Sequence, residues 1–409
     1  MSSQTLSQDE LSLLDISAVD VAGKTVFFRT DLNVPMKDGV VTDTTRIDRT
    51  ALGMGKLAER GARVVVAAHF GRPKGKRVDD LTLAPIAPVL GKIMGRDVGF
   101  IDECIGDEVE AAITSMNDGD VLLLQNLRFH PEEEQGDEGF ARALAKSVDI
   151  FVNDTFSTSH RAHASIAKMC ALLPSYAGGL MLEELTALAS ALGAPKPPVA
   201  AVVGGAKVST KLAVLNNLVK QVDTLIIGGG MANTFLFAQG HQIGASLAET
   251  DMADEARQIM ATADEAGCRI LLPSDVVLTR AFKAGAEHSI LKMAEGGIED
   301  DEMILDAGPQ TVEAAKAALD EANTLVWNGP MGAFEIAPFD AATVALAQHA
   351  PKRTKEAGLI SVAGGGDTVA ALIAAGADAD FHYVSTAGGS FLEWMEGKSL
   401  PGVSALLGQ

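Results

Sequence analysis

Two doubly wound parallel α/β domains are the fold the sequence predicts, and three observations carry it. Short β-branched runs alternate with helical patterns almost from end to end. A Pro-rich stretch, Ala194-Pro-Lys-Pro-Pro198, interrupts that alternation near the middle. The 409 residues suffice for two ordinary domains, each with its own core. Strands that alternate with helices imply parallel sheets with helices on both faces.

In the first half, Thr25–Phe28, Val64–Val66, Val121–Leu124 and Ile150–Val152 read as buried strands. Between the first two lies Thr45–Gly61, where Ile47, Met54, Leu57 and Ala58 fall near one helical face and Gly61 supplies the stop. The helical segment Leu182–Leu192 leads into the Pro-rich stretch, which reads as a stiff linker. Beyond it, strands are expected at Val199–Val203, Thr224–Ile227, Arg269–Leu272, Leu325–Trp327, Leu359–Val362 and His382–Val384. Helical patterns such as Thr311–Ala322 and Asp367–Ala375 separate them. The expected layout is a first domain over 1–181, a connecting helix and hinge over 182–198, and a second domain over 199–391.

The formal charge of −21 argues against a nucleic-acid surface, which needs clustered Lys and Arg. An anionic ligand must then be held by a local basic patch working against the global field. Cys104, Cys170 and Cys268 stand far apart with no CxxC, as reduced thiols in a cytoplasmic protein would. The stretch MSSQTLSQDELSLLD lacks the basic and apolar regions of a secretory signal. No apolar run approaches the roughly 20 residues of a membrane helix, so a cytoplasmic location without membrane or nucleic-acid partners is expected.

In open parallel sheets, ligands bind beyond the carboxyl ends of the strands. The two halves differ there. In the first, strand ends carry charge: Arg29-Thr-Asp-Leu-Asn33, His69-Phe-Gly-Arg72, Asn126-Leu-Arg128, and Asn153-Asp154 leading to His160-Arg161. Arg46, Arg72, Arg128 and Arg161, with His69, suit a small substrate bearing phosphate and carboxylate, since guanidinium groups bind both in bidentate fashion. In the second half strand ends carry glycine: Gly204-Gly205, Gly228–Gly230, Gly308-Pro309, Asn328-Gly-Pro330, Gly364-Gly-Gly-Asp367 and Gly388-Gly389. Glycines at strand-to-helix junctions let backbone N–H groups approach a polyphosphate, so this half reads as a nucleotide platform. Neither GxGxxG nor a Walker A is present; in Val203-Gly-Gly-Ala-Lys-Val208, Ala206 precedes Lys207.

Asp31-Leu-Asn-Val-Pro35, His69-Phe-Gly-Arg-Pro73, Asn126-Leu-Arg-Phe129, His160-Arg-Ala-His163, Gly204-Gly-Ala-Lys-Val208, Trp327-Asn-Gly-Pro330, Gly364-Gly-Gly-Asp-Thr368 and Glu396-Gly-Lys398 together resemble the phosphoglycerate kinase family, in the family's order and over nearly the whole chain. The resemblance implies a two-domain hinge kinase, expected to be a monomer. It would transfer phosphate between ATP and 3-phosphoglycerate, giving ADP and 1,3-bisphosphoglycerate, with Mg2+. It implies substrate contacts at Asp31, Asn33, Arg46, His69, Arg72, Arg128 and Arg161. On the nucleotide side it implies Gly205, Lys207, Lys211, Gly230, Asn328, Glu335, Gly364, Gly365, Gly366, Asp367 and Thr368, with Asp367 the metal ligand. It also implies a tail, residues 392–409, that returns to the first domain. Three positions depart from the usual family pattern: Ala387 replaces one of three glycines, Ser157 stands where glycine is usual, and Thr210 where Asp is frequent.

The nucleophile implied is a carboxylate, already ionised at neutral pH, so no general base is required. His69 and Asp31 are then orienting groups, and His163 is structural. Catalysis is positioning plus electrostatics on the transferring phosphoryl group. Arg46 would neutralise the attacking carboxylate, and Lys207 would take the phosphoryl oxygens. Lys211 and the Gly388 and Gly389 amides, which open the last predicted helix, would add to that catalytic anion site. Lys207 and Lys211 share a face if a helix starts this early. Two other readings fit the same split of charge and glycine: another acyl-phosphate-forming small-molecule kinase, or a two-domain solute-binding protein.

Overall fold

The computed structural model describes residues 6–408 and divides the chain into two compact units. The first comprises residues up to Thr186 together with those from Ser399 onward; the second is Ala187–Lys398.

The first unit is built on six parallel strands: β1 (Thr25–Arg29), β2 (Arg63–Ala67), β3 (Val98–Phe100), β4 (Val121–Leu123), β5 (Ile150–Asn153) and β6 (Ser175–Ala177), in the order β3-β4-β2-β1-β5-β6. Side chains alternate across the sheet. Val26 and Phe28 of β1 enter one core with Val64, Val66 and Val152, while Phe27 enters the opposite core with Val65 and Phe151. The helix Thr45–Glu59 covers the first face with Ile47, Ala51, Met54, Leu57 and Ala58, at the spacing of one helical face. Chain order reverses between β1 and β5, which makes the gap beyond their ends the natural ligand crevice of this sheet.

The second unit carries β7 (Val199–Val203), β8 (Thr224–Ile227), β9 (Arg269–Leu271), β10 (Thr324–Asn328), β11 (Ile360–Gly364) and β12 (Tyr383–Ser385), all parallel, in the order β9-β8-β7-β10-β11-β12. Its reversal lies between β7 and β10, beneath Gly204 and Gly329.

The short edge strands β3 and β6 are absent from the sequence reading. Neither Val98-Gly-Phe100 nor Ser175-Tyr-Ala177 has a β-branched run long enough to register. Also missed is an antiparallel sheet of Asp275–Thr279 flanked by Ser289–Lys292 and Met303–Ala307. The helix read as Leu182–Leu192 starts at Gly179 and loosens into a π-helical turn at Ala189–Gly193, inside the second unit.

Residues 392–398 belong to the second unit, because Asn217 Nδ2 donates to the Met395 carbonyl (2.7 Å) at the end of helix Gly389–Met395. That helix is not the last, since Pro401–Leu406 follows it in the first unit. There the Gly402 amide donates to the Ser159 carbonyl at 2.9 Å, and Val403 is buried.

Candidate functional site

Each unit presents its own constellation at its switch point. In the first, the loop after β1 carries Asp31 and Asn33. Asp31 Oδ1 accepts from the Asn33 amide at 3.0 Å, and Arg46 Nη1 stands 3.2 Å from both Asp31 oxygens. The same Nη1 donates to the Asn33 carbonyl at 2.8 Å. Ser157, from the turn after β5, donates to Asp31 Oδ2 at 2.7 Å. Burial works against charge on Asp31, but Arg46, Ser157 and the Asn33 amide together hold its carboxyl below the usual range. Asn33 Oδ1 accepts from the Gly71 amide at 2.9 Å, tying this loop to the one after β2.

His69 is buried, and its Nδ1 lies 3.3 Å from Nη2 of Arg29. Burial and the Arg29 charge drive its pKa well below the ordinary value, so the ring is neutral. A guanidinium only donates; Nδ1 is therefore the acceptor and Nε2 carries the proton. Arg29 itself is fully buried, and burial lowers its pKa to about 10, which leaves it charged at neutral pH. Arg29 is not among the residues expected from the sequence to hold the acceptor. Its place at the end of β1, against a histidine forty residues on, is the signal that could have found it.

Arg128 is nearly buried and donates to the Gly71 carbonyl at 2.9 Å, with Glu134 as its acidic neighbour. Arg161 and Arg72, both exposed, lie close enough to oppose its charge. His163 is neutral as well, its pKa lowered to about 3 by burial and then by Arg128, Arg29 and Arg161. The first unit thus gathers all seven residues expected to hold the acceptor: one carboxylate, the Asn33 amide and the neutral His69 ring amid four guanidinium groups.

In the second unit a cavity of about 450 Å³ is lined by Gly205, Gly230, Glu335 and Asp367 among the expected residues, and by Leu247, Phe282, Asp306 and Met331, which the sequence reading did not single out. Leu247 and Phe282 are large apolar side chains left exposed beside it, a feature invisible without the fold.

Asn328, Gly364, Thr368 and Lys211 instead tie the loops to one another. Asn328 Nδ2 donates to the Gly364 carbonyl (2.7 Å), and the Gly329 amide donates to Thr368 Oγ1 (2.7 Å). Lys211 Nζ donates to the carbonyls of Gly204 (2.6 Å) and Asn328 (2.8 Å). Burial lowers its pKa to about 8, against the pull of Asp367.

The helix expected to carry Lys207 and Lys211 on one face begins only at Leu212. Residues 204–211 form an irregular loop that ends in a turn at 209–211, held where Ser209 donates through its amide (2.9 Å) and hydroxyl (2.5 Å) to Glu249. Lys207 is exposed and makes no ion pair among the described residues. Gly388 and Gly389 open the helix Gly389–Met395 and are exposed; Ala387 is buried without positive φ, so alanine there is unstrained.

The glycine clusters have a second cause beside anion binding. A Cβ on Gly204 would fall 1.8 Å from the Pro330 carbonyl oxygen, and one on Gly229 would fall 2.7 Å from that of Gly205. Three loops interpenetrate backbone against backbone. Gly364 is required by packing on the Phe391 ring, 2.7 Å from its would-be Cβ. Gly366 has open space around it and remains free to face a ligand.

The family profile described as phosphoglycerate kinase matches residues 16–398. The chain belongs to the phosphoglycerate kinase family. The phosphoglycerate kinase of Sinorhizobium fredii is 58% identical over 387 residues, covering 95% of this chain and 96% of that protein. That of Granulibacter bethesdensis is 56% identical over 396 residues, with 97% and 100% covered. The solved structure of phosphoglycerate kinase from Coxiella burnetii superposes with a TM-score of 0.90 at 40% identity, over 96% of this chain and 98% of that one. For this phosphoglycerate kinase family member, the acid-and-arginine cluster and the glycine-lined cavity therefore fall in a fold already matched to two-substrate phosphoryl transfer.

Proposed function

We propose that this enzyme catalyses reversible phosphoryl transfer between ATP and the carboxylate of 3-phosphoglycerate, with the acceptor held by the first unit. The observation that carries this is the Asp31 carboxylate, which faces the site beside Arg46, whereas Glu134 is engaged by Arg128. A site for a bare anion would gain nothing from it. At neutral pH 3-phosphoglycerate carries a carboxylate, a phosphate and one hydroxyl, so the hydroxyl is the one good donor for Asp31 to accept from. Arg72, Arg128 and Arg161 serve the phosphate, Arg46 the carboxylate, and His69 offers a proton on Nε2 to an anionic oxygen.

In the forward step a carboxylate oxygen attacks the γ-phosphorus, the bond to the β–γ bridging oxygen breaks, and ADP leaves with that electron pair. No proton moves, which agrees with histidines held neutral by burial. Lys207, exposed and without an ion pair among the described residues, is assigned to the oxygens of the transferring group. Lys211 acts one step back, holding the Gly204 and Asn328 carbonyls together.

Asp367 suits Mg2+, which takes one or two carboxylates beside substrate phosphates: it is exposed, lies in the first turn of helix Gly366–Ala374, lines the cavity, and its carboxylate makes no hydrogen bond among the described residues. Bound there, the ion would offset charge on the polyphosphate. Both constellations belong to one chain, so a monomer suffices. A cytoplasmic setting fits the three free cysteines, and no helix among the described residues is long and apolar enough to cross a membrane.

The test is a coupled assay that supplies 1,3-bisphosphoglycerate and ADP and reads ATP. ATP formation dependent on both substrates is expected; none would overturn the reading.

A further inference from the structure

Ser157 belongs to a row of hydroxyls behind the acceptor site. Thr155 Oγ1 lies 3.2 Å from Ser157 Oγ, and Thr158 Oγ1 lies 3.2 Å from Thr155 Oγ1. The direction of the row is fixed at one end. An ionised carboxylate only accepts, so the one proton of Ser157 goes to Asp31 Oδ2, at 2.7 Å, and the proton of Thr155 goes to Ser157. The turn Phe156–Thr158 that carries the row is itself held, since Asn153 Oδ1 accepts from the Thr155 amide at 3.1 Å.

The partners of Asp31 are unequal. The Asn33 amide holds Oδ1 alone. Arg46 sits equally far from both oxygens, at 3.2 Å, and so does not select a rotation of the carboxylate. Its side chain is 38% exposed, and it is the group assigned to the acceptor's own carboxylate. Once Arg46 turns to the acceptor, Ser157 is the partner that remains on Oδ2. A carboxylate oxygen has two lone-pair sites, so Oδ2 can accept from Ser157 and from a substrate hydroxyl together.

We propose that Ser157 is a positioning residue for acceptor recognition: its hydroxyl holds the Asp31 carboxylate in the orientation that receives the C2 hydroxyl of phosphoglycerate, and so favours hydroxylated acceptors. This rests on the assignment of Asp31 to that hydroxyl. Where the family pattern usually has glycine, the hydroxyl-bearing residue gives this chain an added donor.

The experiment compares wild type, Ser157→Ala and Ser157→Thr on 3-phosphoglycerate and on 3-phosphonooxypropanoate, which lacks the C2 hydroxyl. Loss of one hydrogen bond to a charged group should raise KM for 3-phosphoglycerate about five- to twentyfold in Ser157→Ala. Its kcat and its KM for ATP should stay within about twofold, and Ser157→Thr should recover most of the loss. On the deoxy acceptor, Ser157→Ala and wild type should have the same kcat/KM. An equal loss on both acceptors would mean a merely structural role, and no loss on either would mean none; each overturns the proposal. If wild type itself uses both acceptors equally well, the assignment of Asp31 fails and takes the proposal with it.

Discussion

Asp306 gives the second unit a stability that falls as pH rises. Its carboxylate is buried beside the nucleotide cavity, where Oδ1 accepts from the Ala307 amide and Oδ2 from the Ala342 amide, each at 2.9 Å. Burial, helped by Asp340, outweighs those two hydrogen bonds and raises the pKa from 3.8 to about 7. The folded state therefore holds a proton between about pH 4 and 7 that the unfolded chain has released. The contribution of Asp306 to stability drops across that window and levels off above it. At 1.36 kcal/mol per pKa unit the whole effect is at most about 4 kcal/mol, of which about 3 kcal/mol falls between pH 5 and 8.

The perturbation is Asp306→Asn, which removes the titration. It also turns one acceptor into a donor facing an N–H, a cost of about 1–3 kcal/mol at every pH. Both tryptophans, Trp327 and Trp394, are buried in the second unit, so their fluorescence in a urea titration reads that unit. The variant should be the less stable at pH 5, and its deficit should shrink by about 2–3 kcal/mol, or reverse, by pH 8. Parallel stability curves for the two proteins would show that Asp306 does not titrate in this window, and the argument would fail.

Lys207→Ala should lower turnover by orders of magnitude while 3-phosphoglycerate binding, followed by calorimetry, stays near normal; a fully active variant would remove Lys207 from the mechanism. Arg161→Ala should weaken 3-phosphoglycerate binding and leave ATP binding unchanged, and the opposite pattern would reverse the assignment of the two units. Gly204→Ala places its Cβ 1.8 Å from the Pro330 carbonyl oxygen, so the interlocked loops must part. It should cost several kcal/mol in the second unit, and a normal urea midpoint would show that those loops are not interlocked.

The alternation of strand and helix was legible because the strands of both sheets are covered on two faces and read as apolar runs. The edge strands Val98–Phe100 and Ser175–Ala177 were not, since they are short and only half covered. The acceptor residues were legible as charge at strand ends. What the chain order could not reveal was how they are held: the His69 proton depends on Arg29, and the Asp31 orientation on Ser157, 126 residues away. Glycine was over-read in one direction. Gly204, Gly229 and Gly364 are required by neighbouring backbone or an aromatic ring, whatever a phosphate gains from them. Lys211 is expected from the sequence in the anion site, and the fold adds two carbonyl partners for it, set by loops more than a hundred residues apart.

The Gly402 amide on the Ser159 carbonyl bears on the order in which the molecule can be made. During synthesis all of Ala187–Lys398 leaves the ribosome before the segment that finishes the first unit. The second unit is contiguous, and all of its residues are present once Lys398 has emerged. The first must wait, with the Ser159 carbonyl and the surface that later covers Val403 exposed to solvent. The half of the enzyme translated first is therefore the half completed last, and its final hydrogen bonds form only two residues from the hydroxyl that steadies Asp31.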